Sequence, residues 1–299
     1  MEARRHRRRF QTKIPTRVQE NRGAERCAQG ESDIRISVVT VCFNSAETIA
    51  DTLRSVAEQT YTDVEHIIVD GGSSDATLTI VDAHRRGLAR VISEPDRGPY
   101  DAMNKGIAAA SGEVVGFLNA DDVYADAQAL AAVAEAFAHP EVDACYADLV
   151  YVDRKDPERI VRYWKSRDFC PGLFRRGWMP AHPTFYVRRR VFERYGGFDL
   201  RYPRQADFEL AMRLLELHHV VTRYIPRILV RMRKGGLSNS SYLGILRGNL
   251  EAYRACRNCG MAVTPLFMLR KVLSRLPQFF CRPPPPAASA VCKRCPSRR

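Results

Sequence analysis

Short apolar runs recur along the first half of the chain, each stopped by a polar residue and followed by helical periodicity. Ile34–Phe43 (IRISVVTVCF) turns apolar at its centre and predicts a strand. Asn44 then heads a stretch in which Ile49, Leu53, Val56 and Ala57 fall on one helical face, and Glu47 completes a capping-box pattern with it. Val64–Val69 predicts a second strand, which ends at Asp70; the turn 71–75 (GGSSD) leads into a helix through Leu78 and Val81. A third strand is predicted over Arg90–Ser93, followed by the loop EPDRGPYD and a helix over 102–110. Gly112–Tyr124 (GEVVGFLNADDVY) holds a fourth, Val114–Leu118, apolar enough to be buried on both faces. It stops at Asn119, just before the adjacent carboxylates Asp121 and Asp122. An Ala-rich helix over 127–138 and a strand over 142–152 close this half.

Strands alternating with helices predict crossover units and an α/β fold, with a Rossmann-like, mostly parallel central sheet flanked by helices. Ligands of such sheets bind beyond the carboxyl ends of the strands. Asn44, Asp70, Asp96 and the Asp121/Asp122 pair fall at those ends, so polar positions far apart in sequence share one rim.

Past residue 150 the pattern changes. Strands are predicted over 159–164, 182–187 (HPTFYV) and 220–230, and helices over 188–195, 206–217 and 239–257. A Gly-, Pro- and aromatic-rich loop spans 169–179. Asp207 shares a helical stripe with Ala211 and Leu214, so it is either the cap of its helix or a carboxylate aimed into a cleft. Residues 261–281 mix Leu, Val and Phe with Arg and Lys and predict a basic amphipathic helix, either lying on a surface or packing back on the domain. The boundaries are thus a disordered basic arm over 1–33, a domain over 34–260 with halves 34–150 and 151–260, the helix 261–281, and a disordered tail over 282–299.

Charge changes this picture in one respect. The net charge is +13, yet residues 31–150 hold 7 Lys and Arg against 21 Asp and Glu, while 151–260 hold 23 against 10. A basic second half with basic termini suits an anionic membrane surface or a phosphate-bearing substrate. No nucleic-acid motif accompanies it, so a specific nucleic-acid partner is not expected. No apolar run is long enough to span a bilayer and no apolar segment follows the basic N-terminus, so a cytoplasmic protein is expected. Neither GxGxxG nor GxxxxGK[ST] occurs, against a dinucleotide fold and a P-loop. Of nine Cys, two CxxC pairs (Cys256/Cys259 and Cys292/Cys295) invite a zinc reading, which their separation and the intervening Pro283–Pro286 run weaken.

Two adjacent acids at the end of a buried strand repel each other and resist desolvation. A hard divalent cation shared with phosphate oxygens removes both problems. The competing reading is a turn in which Asp121 or Asp122 caps a helix starting near Asp126.

Taken together, ISVVTVCFNSAETIADTLRSVAEQTY, VEHIIVDGGSSDAT, ISEPDRGPYDAMNKGIAAASGEVVGFLNADD, HPTFYVRRRVFERYGGFD and ADFELAMRLL resemble the family 2 glycosyltransferases over about residues 34–218. The branch most resembled makes bacterial surface polysaccharide such as O-antigen or exopolysaccharide. The resemblance implies the GT-A fold, a nucleotide-diphosphate sugar as donor, a divalent metal (Mn²⁺ or Mg²⁺), and inverting transfer to a glycan or lipid-diphosphate-linked acceptor at the cytoplasmic membrane face. It implies that Thr40, Phe43, Asn44, Asp70, Asp75, Asp96, Arg97, Asn104, Lys105, Asn119 and Ala120 contact or support the donor. Asp121 and Asp122 would hold the metal, Asn119 taking the first acidic position of the family's DxD motif. Asp207 matches the general base, with Glu209 as second choice, and His182 and Trp178 lie where the family meets its acceptor. Two other readings stay open: a non-catalytic nucleotide-sugar-binding protein on the same fold, and a sugar-phosphate nucleotidyltransferase.

Overall fold

β1 (Ile36–Cys42) is buried along its whole length and is the axis of the first half. It pairs in parallel with β2 (Val64–Asp70) on one side and β4 (Val114–Phe117) on the other, and β3 (Arg90–Ser93) extends the sheet beyond β2, also in parallel. This is the crossover arrangement expected from the alternating pattern. The structure, a computed structural model, describes residues 34–235 and 242–283; the basic arm and most of the Pro-rich tail lie outside them.

Beyond β4 the sheet is mixed. β8 (Tyr186–Arg188) runs antiparallel between β4 and β6 (Ala144–Val152), and β6 pairs in parallel with the long β9 (Thr222–Arg233). β7 (Ile160–Trp164) folds back on β6, and the three-residue β5 (Asp122–Tyr124) pairs antiparallel with β9. The parallel pairing expected therefore holds for β3-β2-β1-β4 and for β6-β9, with antiparallel pairs at β8, β7 and β5. The short β8 made the difference: of the strand predicted over 182–187, His182–Thr184 forms a 3₁₀ turn.

Helices α1 (Ile49–Ala57), α2 (Thr77–Ala83) and α3 (Pro99–Ala109) are the crossovers, α4 (Ala129–Phe137) packs on β6 and β9, and α5 (Arg189–Tyr195) follows β8. α6 (Ala206–Met212) continues as a π-helical turn over Arg213–Leu217. α7 (Tyr242–Asn258) packs against α6, and α8 (Leu266–Leu273) against α7. Strand alternation feeds two apolar layers: Val39 and Val41 join Phe117, Phe208 and Leu214, while Ile36 and Val38 join Leu130, Val133 and Leu149. The glycine inside β4 has a packing reason. A Cβ on Gly116 would lie 2.1 Å from the Tyr186 ring, whose hydroxyl is hydrogen-bonded to that of Tyr124 at 2.6 Å.

Three local expectations are corrected. The capping box does not form: α1 begins at Ile49, and the Asn44 side chain instead accepts the Ser74 N–H at 2.9 Å, with Asn44 at φ 48°. The acids at 121–122 cap no helix, because Asp122 opens β5 and α4 begins only at Ala129. The 261–281 stretch is one eight-residue helix plus a 3₁₀ turn (Leu276–Phe279), and it turns Lys271 inward while Leu269, Leu273, Leu276 and Phe279 face out.

Candidate active site

At the carboxyl ends of β1 and β2, two loops are sewn together. Asp75 accepts the Ala46 N–H at 3.1 Å and the Thr77 N–H at 2.9 Å, and Ser73 Oγ accepts the Asn44 N–H at 2.8 Å. Asp70 is fully buried and accepts the N–H groups of Gly72 and Ser73, at 3.1 and 3.0 Å, and the hydroxyls of Ser73 and Ser93. These bonds hold its carboxyl below the usual range against the opposing effect of burial. With its lone pairs so occupied, Asp70 shapes the loop and has no free oxygen for a nucleotide. Asp96 behaves similarly: Oδ1 accepts the Gly98 N–H at 2.8 Å, and a Cβ on Gly71 would lie 2.4 Å from Oδ2. The loops leave Phe43 standing 62% exposed at the rim.

Several residues expected at the donor have other partners. Thr40 is completely buried, 2.9 Å from the Nε2 of His66, whose pKa burial pushes down to about 3. Asn104 is committed to the main chain of Phe198 in both directions. Lys105 pairs with Glu94 and Arg97 with Asp101. Ala120 is buried, its N–H donating to the Val41 carbonyl at 3.3 Å.

The acidic pair is of another kind. Thr52 Oγ1 donates to the Asp122 carbonyl at 2.8 Å and fixes the turn between β4 and β5. Asp122 is completely buried; its Oδ2 accepts the Asn119 amide at 3.0 Å, and its Oδ1 has no partner. Burial first, then the charge of Asp121, pushes its carboxyl well above the usual range. Asp121 is half-buried and is also raised, by burial, with Arg233 and Arg154 opposing. An orphaned carboxylate oxygen beside a second strained carboxylate is a site short of positive charge. The donor set, two carboxylates and an amide oxygen, is hard and fits Mg²⁺ or Mn²⁺ completed by phosphate oxygens and water. The Asn119 amide nitrogen bonds Asp122, which leaves its oxygen as the group for a cation.

Asp207 lies in the first turn of α6, half-buried, and accepts the Phe208 N–H at 2.8 Å. Burial, followed by the Asp207 carboxylate, pushes the Tyr100 phenol well above its ordinary value. His182 faces the same acid; it lies between Phe117 and Phe198, each 5.5 Å away, and its Nε2 is buried without a partner. Burial lowers its pKa, so the ring is neutral near pH 7. Trp178 stands with Phe169, Phe174 and Tyr146, its Nε1 also buried and unpartnered. Glu209 is withdrawn from the chemistry: it is buried in a two-point ion pair with Arg213, 2.7 and 3.1 Å, which in turn holds the carbonyls of Tyr195 and Gly197.

Residues that pattern reading missed complete the site. Tyr151, on β6, stands opposite Met232 of β9, which pairs in turn with Asp122, so one row of the sheet joins it to the acidic pair. Arg233, at the end of β9, pairs with Asp51 and keeps a buried, unpartnered Nη1 near the acidic pair. The basic run RMRK at 231–234, closing an alternating strand beside a Gly pair, was the available signal for it. Of the two CxxC pairs, Cys256 is buried in α7 and the second pair lies outside the described residues.

The family model described as "Glycosyl transferase family 2" matches residues 37–196. A curated relative in Mycobacterium bovis (strain BCG / Pasteur 1173P2), a PGL/p-HBAD biosynthesis glycosyltransferase, is 34% identical over 208 residues, 68% of this chain and 79% of its own. The fold resembles the mannosyltransferase PcManGT from Pyrobaculum calidifontis, solved with GDP-Man and Mn²⁺, at TM-score 0.57 and 20% identity over 81% of this chain and 69% of that one. It also resembles S. aureus TarS 1-349 with UDP, at TM-score 0.52 and 19% identity over 73% of this chain and 65% of that one. These two likenesses establish the GT-A fold.

Proposed function

The chain belongs to glycosyl transferase family 2, and from that premise we propose that it moves a sugar, with inversion, from a nucleotide-diphosphate sugar to a hydroxyl of a lipid-linked glycan at the cytoplasmic membrane face. The acceptor oxygen attacks the anomeric carbon, the bond from that carbon to the nucleoside diphosphate breaks, and the acceptor proton passes to Asp207. A base in that role is worth roughly 10²–10⁴ in rate. A divalent cation on Asp121 and Asp122 supplies charge neutralisation for the departing diphosphate. Tyr100 orients Asp207, Phe43 offers the nucleotide an exposed ring, and the loops tied by Asp70 and Asp75 give that ring a fixed position.

The observation that best supports the reading is the acidic pair after β4: a completely buried Asp122 beside a half-buried Asp121, held next to the end of β1 by the bond from the Ala120 N–H to the Val41 carbonyl. The lipid-linked acceptor has separate support in the outward apolar residues of α8 and the turn after it, flanked by Arg270, Arg275 and Arg282. No helix among the described residues is long and apolar enough to cross a membrane, so such contact would be peripheral.

A panel of UDP- and GDP-sugars with Mn²⁺ or Mg²⁺, read by nucleoside diphosphate release in the presence of lipid extract, tests this. Transfer of a nucleoside monophosphate to a sugar phosphate would instead identify a nucleotidyltransferase, and saturable binding without turnover a non-catalytic binder.

A further inference from the structure

Between β7 and the segment after α8 lies a cavity of about 140 Å³, lined among others by Lys165, Trp178, Arg275 and Gln278. All four carry donors with no acceptor among the described residues. The Trp178 Nε1 is buried and unpartnered. Lys165 and Arg275 make no ion pair and no side-chain hydrogen bond. Arg162 donates Nε and Nη2 to the Gln278 Oε1, which leaves the Gln278 amide hydrogens for the cavity. No carboxylate lines it.

Arg162 sharpens the deficit. Its guanidinium lies over Tyr151, Trp164 and Phe279, at 4.7, 5.4 and 5.2 Å, and pairs with no acid. Burial and then the like charge of Arg275 push its pKa down. Two guanidiniums held in mutual repulsion, with no carboxylate paired to either among the described residues, favour a bound anion. The adjoining cavity, about 390 Å³, shares Tyr163, Lys165 and Cys281 and adds Arg282. Its one acid, Asp148, is buried and occupied by the Ser166 N–H and the hydroxyls of Tyr163 and Tyr224.

Position says which molecule brings the anion. Trp178 lies 5.5 Å from Phe174, which lies 5.5 Å from Phe208, the residue after Asp207, so the cavity sits on the side of the fold that carries the proposed base. We propose that Lys165, Arg275, Gln278 and Trp178 form a binding site for a phosphoryl or diphosphoryl group carried on a lipid chain. The site rests on the acceptor reading above and gives that acceptor its recognition element, with the donor bound elsewhere.

Decyl diphosphate below its micellar concentration is the probe, with decanol as neutral control, titrated into the full chain in EDTA so that no metal-bound donor site competes. Wild type binds the diphosphate and not decanol. Lys165→Gln/Arg275→Gln weakens that binding at least about tenfold, as loss of two charge-assisted contacts requires. Trp178→Phe, which keeps the ring and removes the donor, weakens it less. A parallel arm measures sedimentation with phosphatidylglycerol and phosphatidylcholine vesicles. Loss in the soluble arm assigns the acceptor's own diphosphate, and loss confined to phosphatidylglycerol vesicles assigns a phospholipid headgroup. Equal binding by wild type and the double variant in both arms overturns the site. Nucleoside diphosphate affinity with Mn²⁺, measured on both proteins, stays unchanged; if wild type binds no nucleotide, the donor reading fails separately.

Discussion

The Asn104 amide and the main chain of Phe198 exchange two hydrogen bonds: Asn104 Nδ2 donates to the Phe198 carbonyl at 2.9 Å, and the Phe198 N–H donates to Oδ1 at 2.8 Å. A helix of the first half thereby pins the loop that leads to α6. Gly197 allows this approach, since a Cβ there would lie 2.3 Å from Oδ1. The same helix supplies Tyr100, which stacks on Phe198 at 5.3 Å and whose phenol is raised by the nearby Asp207 charge as well as by burial. Asn104→Ala strands two half-buried main-chain groups and costs about 2 kcal/mol. Urea denaturation should show that loss, and turnover should fall while donor affinity is kept. An unchanged unfolding midpoint would mean that the loop is held by something else.

Asp207 combines a first-turn position on α6, partial burial and a phenol partner, all of which fix the direction of its carboxylate. Asp207→Asn should cut turnover by roughly 10²–10⁴ and leave nucleotide-sugar affinity in place. Tyr100→Phe removes orientation only, and a loss of about tenfold is expected. Wild-type turnover by the Asp207→Asn protein would remove the base assignment. Glu209→Gln, by contrast, breaks a buried ion pair and should show its main effect as lost stability.

The acidic pair gives a pH signature. Asp121 and Asp122 have folded pKa values raised above their ordinary ones, so the native state binds more protons than the unfolded chain in that range. Their contribution therefore favours folding at low pH and is lost as pH rises through the raised values. A divalent cation binds the ionised pair and reverses the loss. Thermal melts should show Mn²⁺ raising Tm at pH 7.5 and barely at pH 4.5, with Asp121→Ala abolishing the shift. A shift that survives Asp121→Ala places the ion elsewhere.

The first half of the fold was legible because β1, β2 and β4 are runs of buried residues, and the polar residues that end or follow them fall on one rim. The second half was less so. Two strands escaped the reading, β8 in that half and β5 in the first: each is three residues long, too short for a period to register, and β5 begins inside the acidic motif itself. The site divides along a similar line. Position along the chain placed Asp121, Asp122 and Asp207 at strand and helix ends, which keeps them as candidates. It could not tell such an acid from one already hydrogen-bonded, as Asp70 is to Gly72, Ser73 and Ser93 and Glu209 is to Arg213, because that depends on how the chain folds around it. The stacking of Arg162 over Tyr151, Trp164 and Phe279 was invisible for the same reason.

Lys271 carries the last expectation. Sequence periodicity predicts a basic amphipathic helix here, on a surface or packed back on the domain, and does not single out this lysine, which is completely buried, 4.2 Å from the Phe208 ring and hydrogen-bonded to Gln205 Oε1. Gln205 immediately precedes α6, so the buried amine joins α8 to the helix that bears Asp207. Burial first, then Arg275, lowers its pKa to about 7, with Asp207, Cys256 and Glu251 opposing. Below that pH the amine is charged in both folded and unfolded protein, and the desolvation cost is fully present. As pH rises from about 7 toward the ordinary lysine value of about 10.4, the folded state loses its proton first, so this group's contribution to stability rises with pH. Lys271→Met keeps the length of the stem and removes the charge. It should be more stable than wild type at pH 6, and the difference should shrink between pH 7 and 10, as measured by urea denaturation at each pH. A difference that stays constant across that range would show that the amine does not change its protonation there.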